Sequence, residues 1–447
     1  MPEITRESTE AQPGLSVRTV RMEVPVDHGL ATPPAAPSEA LAGVDLPADT
    51  LELFARIVTG EGGQEKPYLV YLQGGPGGES PRPSLTVSTP SWLGRALQDF
   101  QVVLLDQRGT GLSTPVGSTV GPRGTAPGLT GVLAGTTSQQ QAAYLQHFRA
   151  DSIVADCELL RRALGIEQWT LLGQSFGGFT SLHYLARHPE SLAGALITGG
   201  LPPVDHSIEE VYSATWELMV DKSRDFHRRF PADRERLAEL TQHAAAGEIV
   251  LPNGDVVSPE RFRTTGHGLG MSWGAERLHH LLERDHHSSA FSADLAGMLP
   301  FGGRNPLYSV LHESSMADGV ATRWAADRTL PDEVAADPTL LGGEHLHRSL
   351  FTEDSLLAPF TEAADLLAQV QWAELYPVEA LRRADVPVAA AVYSNDAYVP
   401  RDFSLETAGL LPDAQVYETS AHEHNGLSAG SDVLDHLIGL LQGTRWR

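Results

Sequence analysis

Gly173-Gln174-Ser175-Phe176-Gly177 stands between an apolar run, 169–172, and a stretch in which Phe179, Leu182, Leu185 and Ala186 recur at helical spacing. A strand that turns sharply into a helix with a serine on the bend is a nucleophile elbow. The flanking glycines let the backbone turn without a Cβ clash and let the helix lie close to the strand. Ser175 is therefore the candidate nucleophile, and the motif places it exposed on the bend. His188-Pro189 supplies a helix stop, and a second apolar run, 192–197, follows almost at once. Strand, helix and strand in this order predict an α/β fold with a mostly parallel sheet flanked by helices.

Working outward, the run 68–72 is apolar throughout, as a strand buried on both faces requires, and it ends at Gly74-Gly75-Pro76-Gly77-Gly78. Another buried strand, 102–105, ends at Asp106-Gln107-Arg108-Gly109. Earlier strands are expected at 16–26 and 51–58, separated by a Pro/Ala-rich surface loop at 31–47. A Gly/Thr-rich loop, 117–137, leads into a long amphipathic helix expected over 138–164. From 201 to 372 helical patterns dominate and strand signals nearly vanish, which predicts a helical cap inserted between sheet strands. The sheet resumes at 386–393 and 415–418, and a helix at 431–441 closes the chain. The expected division is a catalytic core, 1–200 and 373–447, with a cap domain, 201–372.

Across 447 residues, 32 Lys and Arg stand against 57 Asp and Glu, a net charge of −25 with no basic block. Nucleic-acid and anionic-membrane partners are not expected of such a surface. The single cysteine, Cys157, rules out an internal disulfide and sits in a helical pattern as a small buried hydrophobe. Residues 1–14 are polar and lack the cationic start and apolar run of an export signal. No uncharged apolar stretch reaches the roughly 18 residues of a membrane span, so the expected location is the cytoplasm.

A serine hydroxyl attacks at neutral pH only when a histidine takes its proton and an acid fixes that histidine's tautomer. With an elbow of this kind the chain order is Ser, acid, His, the last two on loops after late strands. Asn395-Asp396 follows the 386–393 strand, and His422-Glu423-His424 follows the 415–418 strand. Asp396 is the acid; the spacing permits either His422 or His424 as base. A His-x-His pair can also hold zinc, but no third ligand stands out beside it. Neither a metal nor an organic cofactor is expected. The oxyanion needs two backbone donors, and the N–H groups of Phe176 and Gly75 are the candidates. A phosphate cradle would end in Lys and Ser/Thr, whereas Glu79-Ser80-Pro81 follows the glycines. The histidines at 279, 280, 286, 287, 345 and 347 read as solvated or capping residues of the cap.

Three motifs carry a resemblance to a known family. Gln73-Gly74-Gly75-Pro76-Gly77, Asp106-Gln107-Arg108-Gly109-Thr110-Gly111-Leu112-Ser113 and Gly173-Gln174-Ser175-Phe176-Gly177-Gly178 are together similar to those of the prolyl aminopeptidase (proline iminopeptidase) family of α/β-hydrolase serine peptidases. Gln73 departs from that family's usual histidine. The resemblance implies an α/β-hydrolase fold with Ser175 as nucleophile, Asp396 as orienting acid and His424 as base. It further implies release of N-terminal proline from short peptides with a free N-terminus, through an acyl-enzyme. A carboxylesterase or broader aminopeptidase on the same triad is the alternative, since a triad does not fix the leaving group. Family members hold the substrate's α-amino group with cap glutamates; by position Glu276 and Glu313 are the candidates here. Trp273 and Phe179 are expected to wall a slot for the pyrrolidine ring.

Overall fold

A computed structural model of the chain describes residues 3–30, 40–120 and 125–445. Parts of the two expected loops, 31–39 and 121–124, lie outside the described residues. Nine strands form one sheet: β1 Ile4–Gln12, β2 Leu15–Pro25, β3 Thr50–Gly60, β4 Tyr68–Leu72, β5 Gln101–Asp106, β6 Trp169–Gln174, β7 Leu192–Thr198, β8 Val388–Tyr393 and β9 Ala414–Thr419. Their order across the sheet is β1-β2-β3-β5-β4-β6-β7-β8-β9. The β1–β2, β2–β3 and β3–β5 pairs are antiparallel, and every pair from β5 to β9 is parallel.

Side chains alternate between two apolar layers, as the two-residue period of a strand dictates. Leu69, Tyr71, Val102, Leu104, Leu172 and Leu196 pack on one face with the helices Leu93–Asp99 and Asp432–Leu441. Val70, Leu72, Val103, Leu105, Leu171 and Ile197 pack on the other with Ala150–Ala163 and Phe176–Arg187. Cys157 is buried in this second layer.

Three expectations change. β1 is an additional strand; its side chains are almost all solvent-facing, so no apolar alternation marks it. The helix expected over 138–164 is two helices, Ser138–Leu145 and Ala150–Ala163, because His147 leaves helical geometry in the turn between them. His345 and His347 are buried rather than solvated; His345 stacks on Trp216 with ring centroids 3.6 Å apart.

From β7 to β8 the chain adds no strand to the sheet and runs mainly through helices, the longest being Ile208–Arg229. Two parts of this segment lie over the strand ends: the helix Pro306–Met316 and the tight turns Thr264–Gly270. Leaving β4, the chain goes first to β5 on one side, then returns to β6 on the other. The carboxyl ends of β4 and β6 thus flank the switch point where open α/β sheets place their ligands. Gln73 to Gly75 leave β4 there, and Ser175 leaves β6. No helix among the described residues is long and apolar enough to cross a membrane.

Candidate active site

Ser175 sits at φ 55°, ψ −126°, between the last residue of β6 and the first residue of the helix Phe176–Arg187. A non-glycine residue in that region costs roughly 1–3 kcal/mol. Its surroundings hold it there. Ser175 N–H donates to Thr198 O at 3.1 Å, and Ser175 O accepts from Gly178 N–H at 2.7 Å. The elbow glycines are dictated by contact: a Cβ at Gly177 would run into Leu72 O, and one at Gly178 into Gly200 O. Ser175 is buried rather than exposed. A Cβ at Gly77 would strike Asn305 and Leu307 at the start of the helix Pro306–Met316, so that helix is seated on the glycine loop.

Asp396 and His424 meet where the loops after β8 and β9 converge. His424 Nδ1–H donates to Asp396 Oδ2 at 2.7 Å, and both side chains are buried. The other carboxylate oxygen, Oδ1, accepts from Tyr398 N–H at 2.9 Å and Val399 N–H at 3.0 Å. Asp396 is thereby fixed in orientation, and it fixes the histidine tautomer with the lone pair at Nε2. His424 N–H donates to Gly270 O at 3.1 Å, tying the loop to the turns Thr264–Gly270. Nε2 faces the elbow, 3.5 Å from the side-chain nitrogen of Gln174. No hydrogen bond joins Ser175 Oγ to His424 among the described residues, a looseness common before substrate binds. Burial works against the charged imidazole, but Asp396 outweighs it and Glu344 adds to the effect, so the His424 pKa is raised. His422 pairs instead with Asp432, Nε2 to Oδ2 2.9 Å.

The glycine loop touches the serine: a Cβ at Gly74 would lie 3.0 Å from Ser175 Cβ. Gly75 takes φ 124°, open only to glycine. No acceptor among the described residues takes the N–H of Gly75 or of Phe176. Gln73, at the position where the sequence departs from the family pattern, accepts from the Tyr71 hydroxyl. The Asp106-Gln107-Arg108 motif is structural. Arg108 is fully buried and bidentate to Asp156, at 2.7 and 2.6 Å, and it donates to the carbonyls of Val26 and His147.

The cap residues expected to meet substrate are placed differently. Glu276 is on the surface, its side chain 43 % exposed, and is paired with Arg229. Glu313 is buried, but its carboxylate accepts from Ala326 N–H at 2.9 Å, which holds the short helix Ala325–Arg328. Glu276 Oε1 and Glu313 Oε1 are therefore already engaged, while Glu276 Oε2 is buried without a hydrogen-bond partner. Trp273 is 48 % exposed with Arg277 over its ring, while Phe179 packs edge-on against Phe176 in the core beside the elbow. The two rings occupy separate environments and do not form one slot.

Glu344, which sequence reasoning missed, is the acid the fold brings toward His424. Its side chain is 20 % exposed. Tyr308 OH donates to Glu344 Oε1 at 2.5 Å and also lies 3.2 Å from His267 Nε2. Burial alone would raise its pKa; His267, His312 and His424 together overcome that and bring it down to about 2. Tyr398 links the two halves, stacking on His267 and meeting His424 edge-on at 4.9 Å. The available signal is Gly342-Gly343-Glu344, a glycine pair before an acid on a segment between helices.

A family model for the alpha/beta hydrolase fold matches residues 67–247. A proline iminopeptidase of Aeromonas sobria is 41 % identical over 406 residues, covering 88 % of this chain and 92 % of the relative. A proline iminopeptidase of Aspergillus aculeatus is 29 % identical over 456 residues, covering 94 % of this chain and 92 % of the relative. A probable proline iminopeptidase of Streptomyces coelicolor is 32 % identical over 181 residues, 40 % of this chain and 44 % of the relative.

Proposed function

Because this chain belongs to the proline iminopeptidase family, built on the α/β-hydrolase fold, we propose that it is a serine aminopeptidase releasing N-terminal proline from short peptides in the cytoplasm. Ser175 Oγ attacks the first peptide carbonyl while His424 Nε2 takes its proton. The N–H groups of Gly75 and Phe176 receive the oxyanion. His424 then protonates the leaving amine, and water repeats the sequence to free proline. Residues 201–372 act as the cap that covers this chemistry.

The observation that carries the exopeptidase reading is Glu344, an enclosed carboxylate held ionised beside the triad histidine. A free α-ammonium beside Glu344 supplies a full cation where the present neighbours are the Tyr308 hydroxyl and the histidines 267, 312 and 424. One fixed carboxylate near the nucleophile makes the enzyme measure its cut from the N-terminus. Amine recognition thus passes from Glu276 and Glu313 to Glu344.

The test compares prolyl-, alanyl- and leucyl-arylamides, N-acetylprolyl-arylamide and a simple acyl ester on wild type and Glu344→Gln. Leaving a buried charge without its partner costs about 3–5 kcal/mol, so the variant should lose at least about a hundredfold in kcat/KM for prolyl-arylamide. Its rate on the ester should change little. Equal losses on both, or wild-type preference for the ester and the blocked substrate, would overturn the reading.

A further inference from the structure

Metal-ligating side chains also gather on the outer surface of the cap, well apart in the chain from Ser175, Asp396 and His424. His243 lies in the last turn of the helix Asp233–Ala245, Glu248 follows just beyond that helix, and His286 comes from the loop after the helix Gly274–Leu282. One ligand atom from each lies within 4.8 Å of the other two. The rings of His243 and His286 stack with centroids 4.0 Å apart, and His243 Nδ1 is 2.5 Å from Glu248 Oε2.

His286 supplies the second observation. Its side chain is only 9 % exposed, and its Nε2 is buried with no hydrogen-bond partner. An unsatisfied buried polar nitrogen costs about 1–3 kcal/mol, and no side chain among the described residues relieves it. Arg236, on the same helix as His243, is turned to Glu239 and to the carbonyls of Leu282 and Arg284.

We propose that His243, His286 and Glu248 form a zinc-binding site on the cap, with water completing the coordination. Two imidazoles and one carboxylate are the donor set of zinc, whereas calcium and magnesium take oxygen. A tetrahedral ion with ligands at about 2.1 Å separates them by about 3.4 Å, so His243 Nδ1 and Glu248 Oε2, now 2.5 Å apart, must open by about an ångström to admit it. Glu248, half exposed, is free to make that movement. With Nδ1 of His243 on the metal, its proton moves to Nε2, where Glu239 lies 3.8 Å away. A carboxylate behind a ligating histidine is the arrangement that orients such ligands. Bound zinc would clip together a helix end, the turn after it and the 283–288 loop. Asp285 and His287 flank His286 but are exposed, and Asp285 already accepts from His287 N–H at 3.0 Å.

The experiment is calorimetric titration of chelator-treated full-length protein with Zn²⁺, alongside thermal unfolding and the visible spectrum with Co²⁺. The expected result is one Zn²⁺ per chain, a raised unfolding midpoint and a tetrahedral Co²⁺ spectrum. His243→Ala, His286→Ala and Glu248→Gln should each weaken binding at least about tenfold, while His287→Ala binds as wild type. Glu248→Gln, a surface change, keeps the test open if a histidine variant folds poorly. Absence of stoichiometric binding, binding undiminished in all three variants, or a loss that follows His287→Ala instead would overturn the assignment.

Discussion

Replacing Asp396 with Asn tests the catalytic geometry at its most constrained point. The carboxylate Oδ1 accepts two backbone N–H groups, from Tyr398 and Val399, while Oδ2 accepts the proton on His424 Nδ1. An asparagine must therefore keep its carbonyl on the backbone donors. The reverse orientation would set an NH₂ against two N–H groups, and each buried donor left unsatisfied costs about 1–3 kcal/mol. At about 2 kcal/mol the productive flip is already disfavoured by a ratio near 30. The NH₂ then points at His424 Nδ1 and drives the imidazole proton to Nε2, the atom that must accept from Ser175. A base in the wrong tautomer costs about 10⁴ in kcat, or roughly 5.4 kcal/mol of barrier. The assay is prolyl-arylamide hydrolysis across pH, with a denaturant curve for each protein. In the wild type, activity should rise with pH through a value above the ordinary 6.5 of histidine, because Asp396 and Glu344 outweigh burial and only the neutral ring accepts a proton. In Asp396→Asn the remaining activity should show that limb at lower pH, since burial then acts against less opposition. A variant within tenfold of wild type, or an unmoved acid limb, would refute the reasoning.

Two further substitutions separate stability from chemistry. Ser175→Gly should abolish turnover yet stabilise the fold by about 1 kcal/mol, because it relieves a strained φ at the elbow and gives up no hydrogen bond of Oγ; a lower unfolding midpoint would contradict this. Asp156→Asn should cost about 3–5 kcal/mol in a denaturant curve by stranding the buried Arg108 guanidinium, with kcat of the folded enzyme nearly unchanged. A loss below about 1 kcal/mol would mean that the carbonyls of Pro25, Val26 and His147 suffice for Arg108.

β4, β5, β6, β7 and β8 were legible because each is buried on both faces and so reads as a mainly apolar run; β9, at the sheet edge, is only half-buried. β1 was not, since its sequence ITRESTEAQ pairs at the sheet edge through its backbone and buries no side chain fully. The elbow declared itself through close contacts that admit only glycine: Gly173 against Gly177 and Ser181 within the strand-turn-helix unit, Gly177 against Leu72 at the end of β4, and Gly178 against Gly200 just past β7. Position also favoured Asp396 and the 422–424 pair, each just past a strand. Spacing could not choose between the histidines, because what distinguishes them is partner geometry, Asp396 for one and Asp432 for the other. The acids between β7 and β8 were least legible. Glu276 and Glu313 bond to Arg229 and to Ala326 N–H, whereas the neighbours of Glu344, which bonds to Tyr308, come together only through the packing of His267 on Tyr398 and of Tyr398 on His424.

The measurement closest to the central claim is labelling of the folded protein with a fluorophosphonate probe, followed by peptide mass mapping with and without a proline-amide competitor. A single adduct on Ser175, slowed by the competitor and lost in Asp396→Asn, is the expected result. An adduct elsewhere, or an intact Ser175 in native protein, would contradict it.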